Sequence, residues 1–188
     1  ASTLVEVDPL PGVARLYNGI GGNTVAFRDI FGDHNIKVAD PANPFVAQVI
    51  ATASFNGHRI SVSPDGNVVV WDQADPLDPQ HRCGTNCVVM KAVRAGGVWG
   101  SPQVVAGPPG LAVWPDTDGT HIVWTQQQVP GGDEWAIHFQ NVAGGPVTQL
   151  NISGLNDSPR IHQGVIAFRN FEVGTHVSEI LVYVIASN

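Results

Sequence analysis

Along this chain the apolar positions first alternate and then run together. From Arg59 to Gln73 (RISVSPDGNVVVWDQ) an alternating stretch leads into Pro-Asp-Gly, and a dense β-branched run follows, ending on Trp71. Alternation with period two reads as a strand with one buried face, and the solid run as a strand buried on both. Pro-Asp-Gly between them reads as a tight turn, because Asp bonds its own backbone and Gly supplies positive φ. Looser copies stand at residues 15–29 (RLYNGIGGNTVAFRD), 111–126 (LAVWPDTDGTHIVWTQ) and 160–170 (RIHQGVIAFRN). The i, i+3, i+4 pattern of an amphipathic helix does not emerge in any window.

The copies are spaced regularly. The aromatics that end the dense runs, Phe27, Trp71, Trp124 and Phe168, are 44, 53 and 44 residues apart. The residues after Phe168, joined to those up to Phe27, make a further 47. Fixed-period repetition of this length is the signature of propellers and solenoids. In each copy strand A carries the alternation and strand B the dense run. Strand C follows at residues 35–40, 88–93, 136–142 and 179–185, and strand D at 45–50, 102–106 and 146–150. Four short strands per unit predict an all-β fold, a four-bladed β-propeller of four-stranded antiparallel blades. The fourth copy lacks a strand D, and STLVEV at residues 2–7 precedes the first strand A. Placed on the last blade, that segment closes the ring and leaves no open edge. The expected domain is a single propeller over residues 1–188. The competing architectures are half of a larger propeller completed as a homodimer and a fragment of a longer chain.

Composition narrows the partners. Apolar residues make up 43% and charged residues 13%, as in a compact fold. Nine basic against sixteen acidic residues give −7, which argues against nucleic acid. No apolar run reaches the roughly 20 residues of a membrane-spanning helix, and no polybasic patch exists, so no membrane insertion is expected. Cys83 and Cys87 (RCGTNC) read as a short-loop disulfide pinning a long loop and favour an oxidising compartment; a CxxxC redox pair is the alternative.

SPDGNVVVWDQ and NDSPRIHQGVIAFRN, followed by a C strand such as EILVYV, resemble the TolB-like (PD40, or WD40-like) β-propeller repeat. The resemblance covers most of the chain and specifies fold rather than activity. It implies a secreted, periplasmic or cell-surface location and a binding or scaffold role. The third copy departs from it with Leu111-Ala112 where others have Arg, and no copy keeps an intact Asp-Ile-Tyr.

The candidate ligand-binding residues follow from propeller geometry. Arg15, Arg59 and Arg160 stand at the start of strand A in three copies, near one mouth of the expected channel, where planar guanidiniums suit an anionic or polyhydroxyl ligand. His58 and His162 flank two of them. Trp99, Trp114 and Trp135 fall outside the repeat, near loops, and suit stacking on a sugar or peptide. Phe27, Trp71, Trp124 and Phe168 read as core. The B–C loops at residues 30–34, 74–86, 127–134 and 171–178 are the long ones, where function tends to sit. They carry Asp33, Asp75, Asp78, Asp133 and Glu134, the carboxylates available for hydrolase or lyase chemistry. Asp116–Gly119 resembles the start of a calcium loop without its distal Glu, and the seven His show no metal-ligand spacing, so neither metal nor cofactor is expected, a channel ion such as calcium being the exception. Asn151 and Asn156 match the glycosylation acceptor pattern. The reading is a secreted, lectin-like, non-enzymatic binding module for carbohydrate or protein. Its alternatives are a hydrolase or lyase at the channel mouth and an accessory domain of a larger surface protein.

Overall fold

The computed structural model describes residues 15–29, 33–52, 57–75, 77, 83, 86–108, 110–129, 132–172 and 177–186, with backbone only for 15–17, 29, 44 and 45. These residues form sixteen strands and, among the described residues, no helix. They make four antiparallel sheets in chain order. The first is β1 (Arg15–Gly21), β2 (Thr24–Asp29), β3 (Ile36–Asp40) and β4 (Asn43–Ala51). The second is β5 (Ile60–Val62), β6 (Val68–Ala74) and β7 (Cys87–Ala95), with β8 (Val98–Trp99) and β9 (Gln103–Ala106) both paired to β7. The third holds β10 (Ala112–Thr117), β11 (His121–Gln127), β12 (Trp135–Asn141) and β13 (Thr148–Gln149). The last, β14 (Leu155–His162), β15 (Val165–Glu172) and β16 (Val177–Val184), shows three strands among the described residues. The expected strands A to C recur in all four sheets and strand D in the first three, while β8 was not foreseen. Residues 2–7, assigned to close the last sheet, lie outside the described residues.

The sheets pack face to face as blades, and the apolar core lies between them. Along β6 every residue is buried, because its two faces serve two neighbours. Val69 and Trp71 pack with Ala26, Ile36 and Val38 of the first sheet. Val68 and Val70 pack with Ala112, Ile122 and Trp124 of the third. Val123, Ile137 and Phe139 in turn meet Ile161, Ile166 and Phe168 of the fourth. The expected core aromatics Phe27, Trp71, Trp124 and Phe168 are all buried. Burying an indole of this size contributes on the order of 4 kcal/mol. Each Trp also places its N–H: Trp71 Nε1 donates to Gln73 Oε1 at 2.7 Å, and Trp124 Nε1 to Gln126 Oε1 at 3.1 Å. The Gln two positions on shares the Trp's face of the strand.

In three of the four sheets the first strand carries a bulge at the same place. Register shifts lie between Leu16 and Gly19 in β1, Val113 and Asp116 in β10, and Asp157 and Arg160 in β14. Trp114 (φ 55°) and Ser158 (φ 53°) are the corresponding left-handed residues of the last two. β5 pairs without a shift.

Candidate functional site

In an antiparallel meander the start of strand A, the end of strand B and the B–C loop share one face. The contact of Cys83 Sγ with His58 Nδ1 at 3.7 Å, loop against strand start, places the second B–C loop on that face. Asp72, at the end of β6 and fully buried, organises it. Its carboxylate accepts the backbone N–H of His58 (2.5 Å), of Arg59 (2.9 Å) and, from the third sheet, of Trp114 (2.9 Å). The last bond holds the left-handed Trp114 in place. From the first sheet, Arg28 Nη2 donates to the Asp72 carbonyl at 2.7 Å. One residue therefore ties three blades together.

Arg59 crosses further. Its Nη1 donates to the Pro159 carbonyl in the bulge of β14 (3.2 Å), and its Nη2 lies 3.4 Å from Asp116 of β10. Asp116 also accepts Ser61 Oγ (2.5 Å) and Ile161 N–H (3.0 Å), so its charge is fully engaged. Burial draws the Arg59 guanidinium below the usual arginine range, and Asp116 works in the opposite direction. His58 is about half exposed; a side-chain hydrogen bond to Asp72 raises its pKa, against the effect of burial.

His58, Arg59 and Arg160 line one cavity of about 440 Å³, together with Asn18, Gly19 and Ser61. No carboxylate lines it among the described residues. The three arginines expected at one level are on three. Arg59 stands opposite Asp72, the rung that Leu16, Val113 and Asp157 fill in the other sheets. Arg160 pairs with Ala167, level with Ser61, Asp116 and Gly19, and Arg15 pairs with Asp29. The offset has two sources. Arg160 stands eight residues before Phe168, where Arg15 and Arg59 stand twelve before Phe27 and Trp71. The turn between strands A and B is five residues long in the second sheet (63–67) but two in the first (22–23) and fourth (163–164). Arg59 and Arg160 still come together, since both line the cavity and Arg59 reaches the carbonyl of Pro159, the residue before Arg160. The side chain of Arg15 lies outside the described residues.

The other expected residues are dispersed. His162 is at the far end of β14, exposed beside the Gln163–Gly164 turn, so it lies at the opposite end of the sheets from His58. Trp99 packs on the core between the first two sheets. Trp114 and Trp135 stack on each other with centroids 6.1 Å apart, over the Cys83–Cys87 disulfide and Val113. Trp135 also lines a larger cleft of about 830 Å³ between the third and fourth sheets, with Gln128, Asp133, Glu134 and Glu172. Asp33 accepts Asn35 N–H and lies 3.5 Å from Lys37, and Asp75 accepts Leu77 N–H; Asp78 lies outside the described residues. Asn156 is buried, its amide donating to the Ile152 and Gly154 carbonyls, which removes it as a glycan acceptor. Asp72 and Asp116 were missed; the only trace in the sequence is an acid just after the strand-B aromatic and another within strand A.

Neither a family model nor a curated protein matches the chain. Solved structures do. TolB from Acinetobacter baumannii is 15% identical with a TM-score of 0.64, the match covering 92% of this chain and 41% of that one. The computationally designed Ika4 protein is 15% identical (TM-score 0.56), covering 99% of both chains. An oligogalacturonate lyase from Vibrio parahaemolyticus is 14% identical (TM-score 0.55), covering 84% of this chain and 46% of that one. The chain thus spans less than half the length of TolB and of the lyase. What these likenesses establish is the fold: an all-β protein of propeller type, in agreement with the TolB-like repeat read from the sequence.

Proposed function

We propose that this chain is a secreted or cell-surface binding module, without catalytic activity of its own, that takes the anionic part of a carbohydrate or protein ligand at the face carrying the B–C loops. The observation that carries this reading is the cation-lined cavity in a chain of net charge −7. Arg59 is engaged by Asp116 and Pro159, whereas Arg160 is exposed and has no carboxylate partner among the described residues. A guanidinium placed so is available to fork onto a carboxylate or sulfate. The Cys83–Cys87 disulfide supports an oxidising location. In this reading residues 2–7 pair with β16 and close a four-bladed ring, making the cavity one mouth of a channel.

Arrays of uronate-containing and sulfated glycans and of acidic peptides test it, with Arg160→Glu as the variant. Binding should be present, fall at least tenfold in the variant and weaken with salt. No binding to any anionic probe, or binding indifferent to Arg160→Glu, would overturn it.

A second reading has its own observation: Asp133, Glu134 and Glu172 share a cleft with Trp135 on the same face, and one protein of similar fold is an oligogalacturonate lyase. Turnover of oligouronides, lost in Asp133→Asn and Glu134→Gln, would favour it over the first.

A further inference from the structure

Sequence spacing offers only two thiol sulfurs in Cys83-x3-Cys87, too few for a metal site. The fold adds a third donor from another element. His58, at the start of β5, brings its imidazole to the same point, and the ligand atoms of His58, Cys83 and Cys87 all lie within 4.8 Å of one another. In a tetrahedral zinc site with Zn–S of about 2.3 Å and Zn–N of about 2.0 Å, nitrogen and sulfur ligands are about 3.5 Å apart and two sulfurs about 3.8 Å apart. The Cys83 Sγ to His58 Nδ1 separation is 3.7 Å. The two cysteine Cα atoms are 4.7 Å apart, and a C-x3-C spacing falls within the range that zinc sites use.

We propose that Cys83, Cys87 and His58 form a redox-gated site for a borderline divalent cation of the Zn2+ type. The site is closed while the cysteines are joined and opens when a thiol reductant separates them. Reduction converts the disulfide and two equivalents of a low-molecular-weight thiol into two cysteine thiols and one disulfide of the reductant. Zn2+ then forms two Zn–S bonds and releases one proton from each thiol, with no change in its own oxidation state. The His58 imidazole supplies the third bond and water the fourth, because His58 is half exposed and borders the central cavity.

The surroundings suit a cation. Asp72 places a carboxylate oxygen 3.5 Å from His58 Nδ1, the nitrogen that faces Cys83. On binding, the ring exchanges this contact for the metal while the Asp72 charge stays beside the cation, and through the His58 backbone N–H Asp72 fixes the segment that carries the ring. Cys83 and Cys87 are buried against Val113, Leu111, Trp114 and Trp135, which excludes competing water from the sulfur side. His58 was unreadable as a ligand in the sequence, standing 25 residues from Cys83.

The test uses the whole chain, reduced with a phosphine or left oxidised, and Co2+ as an optical probe. The reduced chain should take up one equivalent of Co2+, with thiolate-to-cobalt charge transfer in the near ultraviolet and tetrahedral d–d bands. Zn2+ should displace it, and titration heats in buffers of different ionisation enthalpy should show about two protons released per Zn2+. The oxidised chain should bind neither ion. His58→Ala keeps the backbone N–H that Asp72 accepts; it should weaken Co2+ at least tenfold and alter the d–d bands while far-ultraviolet dichroism is unchanged. Absence of cobalt–thiolate bands in the reduced chain would overturn the proposal, as would equal binding by the oxidised chain or a His58→Ala variant with unaltered affinity and spectrum.

Discussion

At Asp118 the carboxylate that closes its own turn, accepting Thr120 and His121 N–H, also accepts Gly164 N–H of the fourth sheet at 2.8 Å. Burial acts to raise its pKa, but these donors outweigh burial and hold it below the ordinary carboxylate range. The unfolded chain therefore takes up the proton first as pH falls. The stability from Asp118 is complete above the unfolded pKa and is lost as pH falls through the folded one. Asp118→Asn should cost about 1–2 kcal/mol at neutral pH. It should also flatten the fall of Tm between about pH 5 and pH 2, measured by thermal melts. An acid limb as steep as that of the parent chain would count against the strap. The sequence shows Asp118 and Asp65 alike as turn residues. Asp65 remains one, accepting Ser63 Oγ and Asn67 N–H within its own hairpin. Nothing in either local sequence says which carboxylate reaches the next blade, because that depends on where the neighbour's turn falls.

At the scale of the strand, legibility follows from how many faces are buried. β6 and β11 were readable because burial on both sides demands an unbroken apolar run, VVVW or HIVW. β5 was readable by its turn. The bulges in β1, β10 and β14 were not; those in β10 and β14 are held by contacts from the second sheet, the Asp72 bond to Trp114 N–H and the Arg59 bond to the Pro159 carbonyl. The three arginines, expected on one level, are spread over three because Arg160 stands eight rather than twelve residues before its strand-B aromatic and the turns differ in length. A related constraint joins β1 to the second sheet: a Cβ on Gly21 would lie 2.0 Å from the Ser63 carbonyl oxygen. Backbone passes against backbone there, and neither side can yield. Gly21→Ala should destabilise by about 3 kcal/mol, a Tm drop of about 6–12 °C for a chain of this size. A drop under about 2 °C by differential scanning calorimetry would mean the two strands do not sit this close.

For the whole molecule, the repeat arithmetic established the number of sheets and their order, and the comparisons agree on the fold. The proposed closure is open to a direct test at this scale. β16 is the last strand of its sheet among the described residues and exposes Ile180, Val182 and Val184. If residues 2–7 cover that edge, deleting residues 1–7 should lower Tm and produce concentration-dependent light scattering as bare edges pair. A truncated chain that stays monodisperse with an unchanged Tm would leave the ring without its clasp. The placement of the core between sheets has a further effect. The second or the third blade, cut from this chain, would be wet on two oily sides, for each shares a party wall with both neighbours. Losing one strips both neighbours at once, so changes in length are tolerated at the face loops and hardly anywhere between.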